Sequence, residues 1–425
     1  MRLLTLIGDQ VIGHLSSDAH GRPLFAYTRD WQRSKNALPL SLNLPLSRED
    51  HPTAAVGAVL WGLLPDNETT VQRWASRFQV SPRNPLALLA HVGEDCAGAV
   101  QFVTEDRLAD VLSGASDSIE VLTDAELETR LRRLRRDIGA ARQVDDVGQF
   151  SLAGAQAKIA LLHDGRQWAI PAGRIPTTHI LKPPSGEYDG FVENELFCLR
   201  LANSIGLPTA ACQALRFGEE TAICVERYDR LQIDGTLLRI HQEDICQALG
   251  VMPQIKYQNQ GGPGVEAISQ LLWTHSSQPR QDVETLFQAL AFNYLIGGTD
   301  AHAKNYSLLL GQGGQVRLAP LYDISSALPY PQLQRRRIKL AMKMGSHYRW
   351  WDIRPSDWVQ VASTLRLDAS ECLAWMHRVA SDMPDRAQEL LVALAREGVA
   401  HPILEALVGE IANACSRMRK LLQPD

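Results

Sequence analysis

The sequence predicts an α+β molecule in which a strand-rich lobe precedes a larger helical one. Three observations predict it: short alternating runs cut by Gly and Pro turns over 150–182, helical periodicity from 192 onward, and a separate mixed stretch over 1–105. At 425 residues the chain can form two or three packed units and is no small stapled scaffold. Lys and Arg number 43 against 48 Asp and Glu, a formal charge of −5, so no overall basicity marks nucleic acid or a membrane as partner. Hydrophobic residues at 45% and charged residues at 21% place the chain among folded globular proteins. Seven cysteines without a C-x-x-C pair read as reduced thiols, and the expected compartment is the cytoplasm.

The opening MRLLTLIGDQVIGHL reads as a strand, because Asp9 cuts the apolar run and no small-residue cleavage site follows. A Pro-rich ALPLSLNLPLS and a helix around 85–91 complete an N-terminal α/β subdomain over 1–105. The polar connector 106–149 holds T-D-A-E, a capping box with Thr123 at the cap and Glu126 three residues on. Its helix, LETRLRRLRRDIG, puts Leu127, Leu131 and Leu134 on one stripe with five arginines around it. Those arginines read as a solvated face or as a basic surface for an acidic partner. Residues 150–230 form the strand-rich lobe and 231–425 the helical one. Helices are expected at 192–205, 241–249, 264–275, 282–296, 356–363, 368–380, 385–396 and 402–421.

The chemistry concentrates in FNYLIGGTDAHAKNYSLLL and LAPLYDIS. Leu286, Leu290 and Tyr294 stripe a helix that stops at Gly297-Gly298, so Asp300 lies in a loop. Asp300 and Asn305 follow as D-x4-N, with Asp323 a further 18 residues on. Phosphoryl transfer asks for these types in this order: a carboxylate for the attacking hydroxyl's proton, then an amide oxygen and a second carboxylate for Mg²⁺. Alone, D-x4-N reads more readily as a turn in which Asp300 caps and Asn305 takes a left-handed conformation. TTHILKPP offers Lys182 at a strand end for phosphate charge, a position where a lysine is usually just solvated. The helix VENELFCLRLANSIG sets Glu195 on a stripe with Val192, Leu199 and Ala202, facing inward toward Lys182 or lying wet at the stripe's edge. Ser151 with small Ala153, Gly154 and Ala155 forms a turn whose backbone amides suit a triphosphate or which is an ordinary tight turn; it is not a Walker loop. AICVERYDR ends in Glu226, Arg227 and Tyr228, a hinge beside an adenine or a charged strand edge. The combined order of loop, lysine, glutamate, hinge, D-x4-N and Asp is that of a two-lobed kinase.

PLSLNLPL, FSLAGAQAK, TTHILK, VERYDR, QEDICQALG, GGPG, GGTDAHAKN and LYDIS resemble the HipA family, the serine/threonine-protein kinase toxins of HipBA toxin–antitoxin operons. The resemblance runs to about residue 345. It implies a phosphatidylinositol-kinase-like fold with an N-terminal β-rich subdomain, ATP and Mg²⁺ as cofactors, and Asp300 as proton acceptor. By position it implies Asn305 and Asp323 as metal ligands and Lys182 as the ATP lysine. Leu152, Ala153, Gly154, Ala155, Gln156 and Ala157 would be the phosphate loop, and Glu226, Arg227 and Tyr228 the hinge. His302, Ala303, Lys304, Asn305 and Tyr322 would be further ATP contacts, and Ser151 the autophosphorylated serine. It also implies a HipB-like helix-turn-helix antitoxin, operator DNA reached mainly through it, and glutamyl-tRNA synthetase as target. Two other readings remain: a silent kinase-like corepressor and a small-molecule phosphotransferase. Arg335-Arg336-Arg337 reads as a solvated turn or a phosphate contact.

Overall fold

The computed structural model describes residues 1–137, 150–151, 153–154, 156–184 and 188–422; Leu152 and Ala155 of the expected phosphate loop lie outside them. The chain divides into two compact units. One comprises Met1–Ser185, Leu215–Gln254 and Leu308–Val316, the other Gly186–Ala214, Ile255–Ser307 and Arg317–Asp425.

The first unit opens with an antiparallel sheet in the order Pro23–Tyr27, Gln10–Ser17, Leu3–Ile7, Val100–Val103. Leu3, Leu6, Ile12, Leu15 and Phe102 are buried in it. Helices Thr53–Gly62, Glu68–Phe78 and Pro85–Val92 accompany the sheet, the last two capped by Asn67 and Asn84. ALPLSLNLPLS is packed rather than loose: the Tyr27 hydroxyl donates to the Leu44 carbonyl at 2.5 Å and accepts from the Leu40 amide at 2.8 Å.

A second, six-stranded sheet runs Ser118–Leu122, Trp168–Ala172, Ile159–His163, His179–Lys182, Glu220–Glu226, Cys212–Phe217. The helix Asp124–Arg136 covers it. Its capping box forms between Thr123 and Glu126, and Leu127, Leu131 and Leu134 bury against Ile159, Leu161, Ile170 and Leu181. Its arginines are not simply solvated: Arg132 and Arg135 pair with the buried Glu220 at 3.4 and 3.0 Å, and Arg130 with Glu120 at 3.7 Å.

The expected helix 241–249 is instead a strand, His241–Asp244, followed by one helical turn, Ile245–Ala248. Asp244 caps that turn through a box with Gln247, which breaks the helix before it starts. On the strand, buried Glu243 accepts the Leu42 amide at 2.8 Å, and burial pushes its carboxyl up to about 8.

The second unit is helical: Phe191–Ser204, Val265–His275, Pro279–Ile296, Pro355–Thr364, Ala369–Arg396 and Pro402–Leu422. Trp358, Tyr294, Phe292, Met376, Met383 and Leu407 fill its core. The pair expected at 368–380 and 385–396 is one helix with Pro384 inside it. Proline removes a single amide there, and fully buried Met383 and Ala387 hold the turns on either side of it to the core. Of the arginine cluster, Arg335 pairs with Glu410 and Arg336 lies 5.5 Å above the Trp351 ring. Among the described residues no helix is long and apolar enough to cross a membrane.

Candidate active site

In the helical unit the site starts where Pro279–Ile296 stops. Gly297 takes φ 64°, its amide closes on the Asn293 and Tyr294 carbonyls, and an added Cβ would lie 2.5 Å from Leu328 Cγ. Only glycine suits both demands. Beyond it the chain folds back: the Asp300 carbonyl accepts from the His302 amide at 2.7 Å and from Asn305 Nδ2 at 2.8 Å. The Asn305 amide in turn donates to the His302 carbonyl at 2.9 Å. D-x4-N is therefore one closed turn with the Asp300 side chain 57% exposed at its tip. Asp300 Oδ1 accepts from the Tyr257 hydroxyl at 2.5 Å and lies 3.8 Å from His302 Nε2. His302 is buried, and burial lowers its pKa, which favours the neutral imidazole.

The second carboxylate arrives on a separate segment. Leu321 donates to the Pro208 carbonyl at 2.8 Å and accepts from the Ala210 amide at 2.9 Å. The Tyr322 hydroxyl donates to the Lys304 carbonyl at 2.9 Å and is 2.7 Å from Ser307 Oγ. Asp323 takes φ 57°, a left-handed conformation that Asp tolerates better than most side chains. Ser326 is then clamped by Asn194, which gives Nδ2 to its carbonyl and takes its amide on Oδ1 at 2.8 and 2.9 Å. Asn305 and Asp323 thus line one small cavity with Asn293, Ala301, Tyr306 and Tyr322. Because Asn305 Nδ2 is committed to Asp300, its amide oxygen is the end left for a ligand. An amide oxygen and a carboxylate on one cavity suit a hard cation that keeps much of its water, and these residues fit Mg²⁺. Ala303 and Lys304 are buried in the same turn, and Glu195 is buried on Phe191–Ser204.

In the strand-rich unit Lys182 is the buried last residue of His179–Lys182, paired opposite Ile223. Ser151 is fully buried; its amide donates to the Asp95 carbonyl at 2.9 Å and its hydroxyl to the Leu63 carbonyl at 2.7 Å. Gly154 bridges Pro65, and Lys158 Nζ donates to the Ala153 carbonyl at 2.8 Å. Gln156 follows, half-buried, and Ala157 packs into the sheet core.

At the expected hinge, the Arg227 side chain turns into the fold. Its guanidinium is buried against Asp229 at 2.9 Å, Asp95 at 3.3 Å, Thr177 at 2.9 Å and the Cys96 carbonyl at 2.8 Å. Arg230 and Arg239 join at Asp95, 2.9 and 3.2 Å away. Burial alone would raise the Asp95 pKa, but the guanidinium groups of Arg230, Arg227 and Arg239 hold it down to about 2. Arg227 therefore works inside the fold, while Glu226 is exposed opposite His179 and the Tyr228 hydroxyl bonds Gln242. Reading the sequence missed Tyr257, Asn194 and Lys158. Lys158 lay within a motif already singled out, whereas nothing in the sequence marked the other two.

A family model described as the HipA N-terminal domain matches residues 3–103, and one described as the HipA-like C-terminal domain matches residues 150–387. The chain belongs to the HipA family. It is 34% identical to Y4mE, a Sinorhizobium fredii protein named as a kinase, over 100% of this chain and 99% of that one. It is 30% identical to the serine/threonine-protein kinase toxin HipA of Shewanella oneidensis over 91% of this chain and 89% of the relative. A solved Shewanella oneidensis complex of HipA, HipB and operator DNA contains a chain that superposes with TM-score 0.83 at 27% identity, covering 99% and 98% of the two chains. This HipA-family chain is accordingly a serine/threonine-protein kinase of the toxin–antitoxin type with the α+β kinase-like fold.

Proposed function

We propose that this kinase transfers the γ-phosphoryl group of ATP to a protein serine with Mg²⁺ bound between Asn305 and Asp323. The observation that carries the reading is the closed turn which exposes the Asp300 carboxylate and sets Asn305 on one cavity with Asp323. The cation, when bound, would neutralise phosphate charge. Asp300 would accept the serine hydroxyl's proton on its outer oxygen as that hydroxyl attacks. Lys182 would neutralise phosphate charge, Glu195 would serve as a supporting carboxylate, and the small-residue loop after Ser151 would supply backbone amides for the phosphates. Asp300→Asn should lower transfer from labelled ATP by about 10²–10⁴-fold while ATP binding persists; retained transfer would remove Asp300 from this role.

We assign the finer biology on likeness. The Shewanella oneidensis chain is described with HipB and operator DNA. A HipB-like helix-turn-helix antitoxin is accordingly the expected partner, with DNA contacted chiefly through it, in the cytoplasm. The target proposed is an aminoacyl-tRNA synthetase, first glutamyl-tRNA synthetase, whose phosphorylation would stop translation. Ser151 is the proposed autophosphorylation site, and its burial requires the segment to leave its seat before the hydroxyl can react. Phosphopeptide mapping after induced expression tests both: label on Ser151 and on a synthetase serine supports the assignment, and label only on a small metabolite overturns it.

A further inference from the structure

GGPG and the tyrosine before it have no role in the chemistry above, yet they form one device. After the short turn Pro253–Ile255 the chain tightens again at Gln258–Gln260, and the amides of Gln260 and Gly262 both donate to the Tyr257 carbonyl at 3.0 Å. Gly262 runs so close to the preceding strand of chain that an added Cβ would sit 2.1 Å from the Ile255 carbonyl oxygen. Gln258 Oε1 accepts the Lys343 amide at 2.7 Å and ties this loop to the strand Lys339–Met344. Tyr257 is thus mounted on a braced loop, with Lys256 5.8 Å from its ring and the His302 ring meeting it edge to face at 4.8 Å. From that mount its hydroxyl donates to Asp300 Oδ1.

A carboxylate used as a proton acceptor has two oxygens and a soft terminal torsion. An aspartate 57% exposed on a loop would turn freely unless one oxygen were held. Here Oδ1 is held by the phenol and walled by His302 Nε2, which at 3.8 Å is too distant for a hydrogen bond. Oδ2 is the oxygen left to face an incoming hydroxyl. We infer that Tyr257 is a positioning residue for Asp300, fixing one carboxylate oxygen so that the other is aimed at the attacking serine. The inference rests on Asp300 being the proton acceptor.

The test uses the full chain with labelled ATP and Mg²⁺. It measures total phosphoryl transfer to protein and water, with KM for ATP and the melting temperature alongside, for four proteins: wild type, Tyr257→Phe, Asp300→Asn and the double variant. Tyr257→Phe should lose about tenfold in kcat with KM for ATP and melting temperature unchanged, a split that loss of fold would not produce. Asp300→Asn should lose at least about a hundredfold, and the double variant should match it, since nothing remains to aim. The inference fails if Tyr257→Phe equals wild type. It also fails if that variant is faster, which would mark the phenol as a blocker seated where the substrate hydroxyl goes. A double variant that falls a further tenfold below Asp300→Asn would likewise overturn it. Undiminished transfer by Asp300→Asn would instead sink the assignment of the base.

Discussion

At the scale of single residues, the site was legible where its geometry is local. Asp300 and Asn305 close one turn, so their spacing carries their relation, and Asp323 follows on a short run whose apolar residues announce burial. Tyr257 was illegible because its bond to Asp300 spans 43 residues, and the interior partners of the Arg227 side chain were illegible because Asp95 lies 132 residues away. Glu243 is a comparable case, a buried carboxyl that burial pushes up to about 8. The folded state holds its proton more tightly than the unfolded chain, so its contribution is complete below about pH 4.5 and is lost as pH rises toward 8. Urea denaturation should therefore show wild type weakening between pH 5.5 and 8.5 by on the order of a few kcal/mol. Glu243→Gln, which keeps the acceptor without the charge, should flatten that slope.

At the scale of elements, caps and stripes translated well. The box at Thr123 and Glu126 forms, and the leucine stripe behind it covers the sheet. Periodicity failed where polar caps or packing override it: Asp244 turned an expected helix into a strand and one turn, and Pro384 failed to divide a helix held by its core face. The helix end at Gly297 is the element on which the Asp300–Asn305 turn depends. Gly297→Ala would force an L side chain to φ 64° and drive a methyl into Leu328. A loss of about 1–3 kcal/mol in denaturation midpoint analysis is expected, with phosphoryl transfer falling further than stability accounts for.

At the scale of the whole molecule, the proposed Mg²⁺ site would link ligand binding to stability through Asp323. Asparagine accepts its left-handed backbone, so Asp323→Asn should keep the unliganded melting temperature. Wild type should gain about 2–3 kcal/mol at a hundredfold excess of ATP and Mg²⁺ over the dissociation constant, seen as a raised Tm, and the variant should lose the Mg²⁺-dependent part of that rise. Composition and periodicity made the strand-rich and helical regions legible, but not which distant residues would share a core, because that is decided by pairings the chain order conceals. The guanidinium cluster around Asp95 shows the consequence. The family-model boundary between 103 and 150 runs between Asp95 and all three of its arginines. A fragment cut there would take Asp95 from all three arginines and leave the buried Arg227 and Arg230 paired with Asp229. The C-terminal part is therefore not an excisable enzyme: shorn of its first hundred residues it should aggregate rather than work, which makes the amino-terminal region an internal chaperone the kinase never releases.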